Sequence, residues 1–434
     1  MKNILVIGAG RSSVTLIKYL LDNSVTNNWQ VTVADFSEDL AKAAVARHTN
    51  GKAIFFNVTD EKQRHKEIAD ANIVISMLPA SLHITVAKDC VRLKTSLVTA
   101  SYVSEEIAEL DKSAKQAGVL LLNEIGLDPG IDHMSAMQVI DNIKEKDGEL
   151  TSFKSFCGGL VHPDYDTNPW NYKFTWNPRN VVLAGQGTAQ YIKQGKYKYI
   201  PYAKLFERTE KMSILDAGEF EGYANRDSLS YRKAYGLENI PTLFRGTLRR
   251  KGFCKSWNMF VQLGMTDDGY KVENSENLTY REFINLFFPY NHELSVEEKF
   301  CSYLNLSRDS EEFKKAEWLG VFTDVSVGLK DASPAQILQK ICEEKWTLGS
   351  EDKDMIVMQH QFEYIQNGEQ KKLNSSLLVF GETARFTSMA KTVGLPVAIA
   401  TKLILSGEIK STGVKIPTTK PINKSLIEKF LYPK

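Results

Sequence analysis

The chain has few cysteines and no long hydrophobic run. Its five cysteines, in 434 residues, are odd in number and include no closely spaced pair. This pattern argues against a disulfide framework or a zinc site, so we expect a protein without metal in a reducing compartment, the cytoplasm. No stretch approaches the roughly 18 apolar residues that a membrane span requires, and we therefore expect neither an anchor nor a signal peptide.

The chain also lacks a charge imbalance. Lys and Arg number 54 and Asp and Glu number 53. No overall field therefore favours nucleic acid or an anionic membrane, and a small molecule is the expected partner. A length of 434 residues with 43% hydrophobic content is sufficient for two or three domains.

An apolar run at the N-terminus leads directly into a glycine turn, Ile4-Leu5-Val6-Ile7-Gly8-Ala9-Gly10-Arg11-Ser12-Ser13. A side chain at Gly8 would obstruct the turn, and one at Gly10 would separate a pyrophosphate from the N-terminus of the next helix. Ser13 replaces the usual third glycine but is still small. A second apolar run ends at Asp35, which can bond both ribose hydroxyls of NAD and would repel the 2′-phosphate of NADP. The pattern predicts a dinucleotide site that prefers NAD.

Strand and helix patterns alternate through the first 125 or so residues, which is typical of a doubly wound parallel sheet, the Rossmann type of α/β fold. The predicted strands span 4–7, 31–35, 53–57, 73–76, 96–101 and 119–122, and the predicted helices span 38–47, 61–69, 83–92 and 133–143. We predict a dinucleotide-binding domain at 1–125, completed by the C-terminal 386–434, where an apolar helix pattern crosses back. Residues 126–385 then form a second α/β domain with a mixed sheet, for substrate binding and dimerisation, with a helical insertion at 278–348.

Polar residues follow two predicted strand ends, where ligands bind in such sheets. The segments are Thr99-Ala100-Ser101-Tyr102 and Asn123-Glu124-Ile125-Gly126-Leu127-Asp128-Pro129-Gly130-Ile131-Asp132-His133. An alternative interpretation of the second segment is a helix start, capped by Asp128 or Asp132. Further polar motifs are Phe156-Cys157-Gly158-Gly159-Leu160, which predicts a strand ending in a glycine pair, then Tyr172-Lys173-Phe174, Asn225-Arg226-Asp227-Ser228 and Arg245-Gly246-Thr247-Leu248-Arg249.

Together these motifs resemble the saccharopine dehydrogenase family of the glutamate-forming type, over nearly the full chain. The resemblance implies a reversible oxidation of saccharopine at the carbon bonded to its secondary amine. Hydride passes to the nicotinamide of NAD or NADP, and water splits the imine into glutamate and 2-aminoadipate 6-semialdehyde, in lysine metabolism. A homodimer is also implied. The chain departs from the resemblance at the ribose site, where an Arg suited to NADP is replaced by Asp35-Phe36.

The resemblance also implies the site residues. The cofactor would contact Gly8, Gly10, Arg11, Ser12, Ser13, Asp35, Phe36, Asn57, Val58, Met77, Leu78, Pro79, Thr99, Ala100 and Ser101. The substrate would contact Ser101, Tyr102, Asp128, Lys173, Arg226, Thr247 and Arg249, and the catalytic residues would be Asp128, Tyr102 and Cys157. Arg226 and Arg249 suit carboxylates because a guanidinium binds them in a bidentate manner. Cys157 could instead be a small buried hydrophobe, and Lys173 a solvated charge.

Two other functions are alternative interpretations of the sequence. A carboxynorspermidine or homospermidine dehydrogenase performs the same imine reduction, but its polyamine substrate calls for acidic residues in place of Arg226 and Arg249. A non-catalytic NAD-binding redox sensor would keep the glycine loop but has no need for the polar motifs downstream.

Overall fold

A computed structural model describes residues 1–420, 422, 423 and 426 of the chain. The chain divides into two compact units. The first combines Met1–Glu149 with the chain from Arg385 onward, and the second is Leu150–Ala384. In sequence, the second unit is therefore an insertion into the first. The part of the predicted C-terminal contribution that falls on 421, 424, 425 and 427–434 lies outside the described residues.

The structure assigns strands and helices along both units. The strands are β1 (Lys2–Ile7), β2 (Trp29–Asp35), β3 (Gly51–Phe55), β4 (Ile73–Ser76), β5 (Ser96–Thr99), β6 (Leu120–Leu122), β7 (Glu149–Val161), β8 (Ala189–Lys193), β9 (Lys196–Ile200), β10 (Glu210–Ser213), β11 (Glu219–Ala224), β12 (Thr242–Arg250), β13 (Asp354–Gln366), β14 (Glu369–Phe380) and β15 (Gly413–Lys415). The helices are α1 (Val14–Asp22), α2 (Ser24–Asn27), α3 (Glu38–Val45), α4 (Glu61–Ala69), α5 (His83–Arg92), α6 (Glu105–Glu109), α7 (Asp111–Ala117), α8 (Ile131–Lys144), α9 (Pro178–Val182), α10 (Tyr231–Ala234), α11 (Phe253–Leu263), α12 (Tyr280–Asn285), α13 (Val296–Leu304), α14 (Glu311–Leu319), α15 (Pro334–Trp346) and α16 (Ser388–Ser406).

The first unit is built on a seven-stranded sheet in the order β15-β6-β5-β4-β1-β2-β3. Every neighbouring pair in it is parallel. Strands β1, β2, β4, β5 and β6 are short, largely apolar runs that are mostly buried, as parallel sheets flanked by helices require, whereas β3 and β15 at the two edges are more exposed. The strand order reverses between β1 and β4, and the carboxyl ends on either side of such a point are where these folds bind ligands. The predicted Rossmann-type fold is thus confirmed.

Helix α16 returns to this sheet, as its sequence pattern predicts, and packs against α1. A Cβ atom on Gly394 would lie 2.9 Å from the Leu16 nitrogen and 3.2 Å from the Ser12 carbonyl oxygen, so only glycine permits this approach. By length and composition alone α16 could span a membrane, which the sequence expectation overlooked. However, 67% of its apolar stretch is buried in the protein. It is therefore the core helix of the first unit.

The second unit contains the predicted mixed sheet, in the order β10-β11-β12-β7-β13-β14, with the β8-β9 hairpin attached to β12. Strand β12 runs parallel to β7 and antiparallel to β11. Helices α12 to α15 lie within the predicted helical insertion. The core is aromatic, and Trp170, Trp257 and Trp346 are almost fully buried in it.

Two details differ from the sequence predictions. Helix α8 clusters with the first unit, so the division between the units lies at 149/150 and not at the predicted 125/126. The prediction that a strand ends at the glycine pair is wrong, because β7 continues to Val161. A Cβ atom on Gly158 would lie 2.7 Å from the Leu248 carbonyl oxygen, so this glycine admits the neighbouring strand and does not end its own.

Candidate active site

The glycine loop after β1 has the geometry that a dinucleotide requires. Gly8 has a φ of +106°, and a Cβ atom there would lie 2.9 Å from the Met77 carbonyl oxygen. At Gly10 a Cβ atom would meet nothing within 4 Å, so the backbone is open to a ligand on that side. A short 3₁₀ turn at Arg11–Ser13 then leads into α1. The loop therefore fits a pyrophosphate at a helix N-terminus.

Asp35 lies at the end of β2, beside this loop. Its two carboxylate oxygens accept hydrogen bonds from the main-chain nitrogens of Ala9, at 2.7 Å, and Ser37, at 2.8 Å. Asp35 thereby joins the glycine loop to the end of β2, while the neighbouring Phe36 is 72% exposed. Asn57 and Val58 follow β3 and are half-buried. These positions are consistent with the predicted ribose and adenine contacts.

His83 connects the next two strand ends, whereas the sequence pattern predicts only the start of a helix there. Its Nδ1 lies 2.8 Å from the Ser76 Oγ, and its Nε2 lies 2.7 Å from the Ser101 Oγ. The ring is 1% exposed. Burial lowers the pKa of His83 to about 4, although a backbone hydrogen bond to Leu78 opposes this shift. A histidine directly after a strand-end loop is the signal that could have identified it.

Tyr102 and Asp128 meet at the carboxyl edge of the same sheet. The Tyr102 hydroxyl donates a hydrogen bond of 3.4 Å to Asp128 Oδ1. The Tyr102 side chain is 49% exposed and Asp128 is half-buried, so both are accessible to a ligand. The structure thus brings together two of the three predicted catalytic residues.

Glu124 holds the chain on both sides of Tyr102. Its main-chain nitrogen donates to the Ser101 carbonyl oxygen at 3.0 Å, and its Oε1 accepts from the Val103 nitrogen, also at 3.0 Å. Its Oε2 lies 2.8 Å from the buried His133 Nε2. Glu124 itself adopts a left-handed backbone with a φ of +56°. Sequence reasoning gave this residue no role, because its partners become neighbours only in the folded sheet.

The alternative interpretation of this segment is a capped helix start. Helix α8 begins at Ile131, and the residue before it is Gly130, which has no side chain to cap the helix. Asp132, in the first turn of α8, accepts a 2.6 Å hydrogen bond from the Gly130 nitrogen. Asp128 precedes the helix and accepts a hydrogen bond from Tyr102.

In the second unit, the predicted site residues Cys157 and Thr247 form a row with Tyr223 across three adjacent strands. Thr247 on β12 is the register partner of Cys157 on β7 and of Tyr223 on β11. The Thr247 hydroxyl donates a 2.7 Å hydrogen bond to Asn225 Oδ1. Thr247 is half-buried, whereas Cys157 is 7% exposed. Asn225 was part of a predicted motif but was not named as a site residue.

Arg226 is presented by a fixed loop. Its carbonyl oxygen accepts from the Gln190 nitrogen, and the next turn is held by Asp227, which accepts from the nitrogens of Leu229 and Ser230. Burial disfavours the Asp227 carboxylate, but these hydrogen bonds outweigh it and the pKa is lowered. Arg226 is exposed, and within the described part of the chain its guanidinium forms no hydrogen bond or ion pair. It is therefore available to a ligand anion.

Arg249 and Lys173 have different surroundings from Arg226. Arg249 is 3% exposed and lies over the rings of Tyr172, at 5.0 Å, and Phe253, at 5.4 Å. Lys173 is nearly buried, and its Nζ lies 2.7 Å from Asp352 Oδ2. The interpretation of Lys173 as a solvated charge is wrong, because this pairing removes it from water.

Two sequence-profile matches cover almost the whole chain. The saccharopine dehydrogenase NADP binding domain matches residues 4–122, and the saccharopine dehydrogenase C-terminal domain matches residues 126–431. The chain belongs to the saccharopine dehydrogenase family. The first unit accordingly contains a pyridine-nucleotide-binding domain of this family, with the glycine loop at its N-terminus.

Individual saccharopine dehydrogenases match over nearly their full length. The NADP(+), L-glutamate-forming enzyme of Saccharomyces cerevisiae is 35% identical, with coverage of 99% of this chain and 96% of that protein. A solved structure of the apo L-Glu-forming enzyme from the same yeast has a TM-score of 0.89 at 33% identity, and covers 100% of this chain and 98% of that chain.

Longer proteins match as well. The mitochondrial alpha-aminoadipic semialdehyde synthase of Rattus norvegicus is 36% identical over 99% of this chain, which spans only 46% of that protein. The chain is thus about half the length of some curated relatives. The cofactor named for the yeast relative is NADP(+), so the comparisons do not support the NAD preference expected from Asp35.

Proposed function

We propose that the protein catalyses the reversible, pyridine-nucleotide-dependent oxidation of saccharopine to glutamate and 2-aminoadipate 6-semialdehyde. The observation that carries this proposal is the accessible Tyr102–Asp128 pair at the carboxyl edge of the dinucleotide-binding sheet. The full-length similarity to a fungal L-glutamate-forming enzyme gives independent support. When bound, the nicotinamide accepts the hydride, and the chain's own residues position the substrate and manage its charges.

Hydride can leave the carbon next to nitrogen only when the nitrogen lone pair is free, so the secondary ammonium must first lose its proton. We assign Asp128 to hold and orient this amine, with Tyr102 beside it. An ionised carboxylate is a weak base for an amine near neutrality, so its main contribution is electrostatic positioning. The proton lost from nitrogen then passes to water, and a second water adds to the imine carbon to release glutamate.

The substrate carries three carboxylates and needs cationic or hydroxyl partners for them. We assign one carboxylate to Arg226, since its guanidinium is exposed and has no partner in the described residues. Thr247 and Cys157, register partners on neighbouring strands, are assigned to the same substrate. Arg249 stays a candidate, although its burial among aromatic rings places it away from solvent.

The experiment that tests the function follows absorbance at 340 nm after saccharopine and either NAD or NADP are added. Carboxynorspermidine, offered in parallel, tests the polyamine alternative. An exposed Arg226 favours an anionic amino acid over a polyamine. Tight dinucleotide binding without any substrate-dependent absorbance change would instead indicate a redox sensor.

For the cofactor we propose a preference for NAD, based on the Asp35 carboxylate beside the glycine loop. A 2′-phosphate facing this carboxylate would meet a like charge worth about 1–3 kcal/mol, or roughly 5- to 150-fold in kcat/KM. Asp35→Asn should raise the NADP-to-NAD ratio of kcat/KM by a factor in this range. A wild-type preference for NADP would contradict the proposal.

We also propose that the protein acts as a cytoplasmic homodimer on small molecules. The five cysteines all lie in the described residues and form no disulfide, which suits a reducing compartment. The balanced charge gives no reason to expect nucleic acid as a partner. Light scattering of the purified protein would test the dimer, and a fluorescent fusion would test the compartment.

A further inference from the structure

The imidazole of His83 links Ser76, the last residue of β4, to Ser101, which lies just after β5. One ring nitrogen faces Ser76 Oγ at 2.8 Å, and the other faces Ser101 Oγ at 2.7 Å. Both serines directly adjoin or belong to the segments assigned to the cofactor. The proposed chemistry does not use His83.

The charge state of the ring limits what it can do. Burial keeps the pKa of His83 near 4, so the ring is neutral around pH 7 and has one N–H and one lone pair. A backbone hydrogen bond to Leu78 raises the pKa of the ring, so the Leu78 backbone accepts from a ring N–H and does not donate to the ring. Leu78 and Ser76 lie in the same short segment at the end of β4, and we therefore assign the ring proton to Nδ1, which faces that segment. Nε2 is then an acceptor for the Ser101 hydroxyl.

The remaining polar atoms of Ser101 are already used. Its main-chain nitrogen donates to Thr99 Oγ1 at 3.3 Å, and its carbonyl oxygen accepts from the Glu124 nitrogen at 3.0 Å. Once the hydroxyl proton points at His83, the lone pairs of Ser101 Oγ are what this residue offers to a ligand. Ser101 is half-buried, so the oxygen is within reach of one.

We propose that His83 is a positioning residue that turns the Ser101 hydroxyl so that its oxygen accepts a hydrogen bond from an N–H group of the bound ligand. Two ligand groups have this chemistry, the carboxamide of the nicotinamide and the secondary amine of saccharopine. The second of these rests on the proposed function, whereas the first requires only a pyridine dinucleotide.

Two matched substitutions test the link. The amide of asparagine ends near the position of Nδ1, so His83→Asn keeps a partner for Ser76 but does not reach Ser101. The amide of glutamine ends near Nε2, so His83→Gln can still accept from Ser101. His65→Leu, a histidine of α4 that contacts Asp89, serves as the control, and thermal melting confirms that each variant is folded.

Binding is measured by titration, without turnover. One arm compares the dinucleotide that the wild type binds more tightly with its 3-acetylpyridine analogue, in which an acetyl group without N–H replaces the carboxamide. The other arm titrates saccharopine into the complex with reduced dinucleotide. We expect His83→Asn and Ser101→Ala each to lower the affinity measured in one of the two arms by about tenfold, which corresponds to the loss of one hydrogen bond. The double variant should lose no more than either single variant, and His83→Gln should stay within about threefold of wild type.

The arm that changes identifies the ligand group. A loss for the natural dinucleotide and not for the analogue assigns the carboxamide, and a loss for saccharopine alone assigns the amine. Three outcomes would each overturn the proposal. The affinities could be unchanged in both arms, the natural dinucleotide and the analogue could lose affinity equally, or the losses of the two single variants could multiply in the double variant. Failure of saccharopine turnover in the wild type refutes the proposed function separately, because the dinucleotide arm is still measured.

Discussion

Glu124 and His133 form a buried hydrogen bond of 2.8 Å, which joins the segment after β6 to helix α8. The other carboxylate oxygen and the main-chain nitrogen of Glu124 bind the residues on either side of Tyr102. A non-glycine residue with a φ of +56° costs on the order of 1–3 kcal/mol, so the surrounding bonds must hold it. Tyr102 is therefore positioned by the backbone before any ligand binds.

Removal of the side chains that we assign to the substrate should reduce activity only moderately. Asp128→Ala, Tyr102→Phe and Cys157→Ser are each expected to lower kcat/KM by ~10- to 100-fold, because each removes positioning and not an acid–base catalyst, whose loss costs about 10²–10⁴. Steady-state kinetics over a range of pH measure this.

A pH–rate profile separates the two roles of Asp128. If Asp128→Ala abolishes one limb of the profile and costs more than about a thousandfold, Asp128 is the general base and the positioning role is wrong. Asp128→Asn, which keeps an oxygen to accept from Tyr102, is the matched variant and should retain more activity than Asp128→Ala.

Arg226→Ala should weaken saccharopine binding far more than dinucleotide binding. Loss of a charge-assisted pair leaves a substrate carboxylate unpaired, at a cost of about 2–4 kcal/mol. Titration with saccharopine measures the change, and Arg232→Ala, on α10 of the same unit, is the control. Unchanged saccharopine affinity would assign Arg226 to a surface role.

Lys173→Met should destabilise the fold without changing saccharopine affinity. The substitution leaves Asp352, which is 14% exposed, without its cation, and breaking such a nearly buried pair costs about 3–5 kcal/mol. Urea denaturation measures the loss, and the double variant Lys173→Met with Asp352→Asn should recover part of it. A higher KM for saccharopine at unchanged stability would instead place Lys173 in the substrate site.

His83 should make the protein less stable in acid. Its pKa is about 4 in the folded protein and 6.5 in the reference state, so the unfolded chain binds a proton between these values and the folded protein does not. The free energy of unfolding therefore falls as the pH drops through this window, by about 2–3 kcal/mol between pH ~7 and pH ~4.5. His83→Asn should lack this part of the pH dependence in urea titrations. An unchanged slope would show that His83 takes up a proton in the folded protein.

The sequence predicted the elements best where a local pattern is sufficient. The alternation of helix and strand patterns predicts the limits of α4 and α5, and the glycine turn with Asp35 predicts the dinucleotide loop. Contacts between residues that are far apart in the chain produce no local sequence pattern, so they could not be predicted. The partner of Lys173 is 179 residues away, and β15 joins β6 from the far end of the chain. The burial of Arg249 likewise depends on aromatic residues from other elements, so a motif could not reveal it.

The interrupted first unit has a consequence for synthesis on the ribosome. Its first part, Met1–Glu149, emerges early, but α16 and β15 follow only after the whole of Leu150–Ala384. Because domains generally fold as they emerge, the inserted unit can complete its core first. Until α16 and β15 emerge, the α1 surface that receives Gly394 and the edge of β6 stay uncovered on the nascent chain. Chains released before about residue 415 would expose these surfaces permanently, and they are the sites that a chaperone would need to protect.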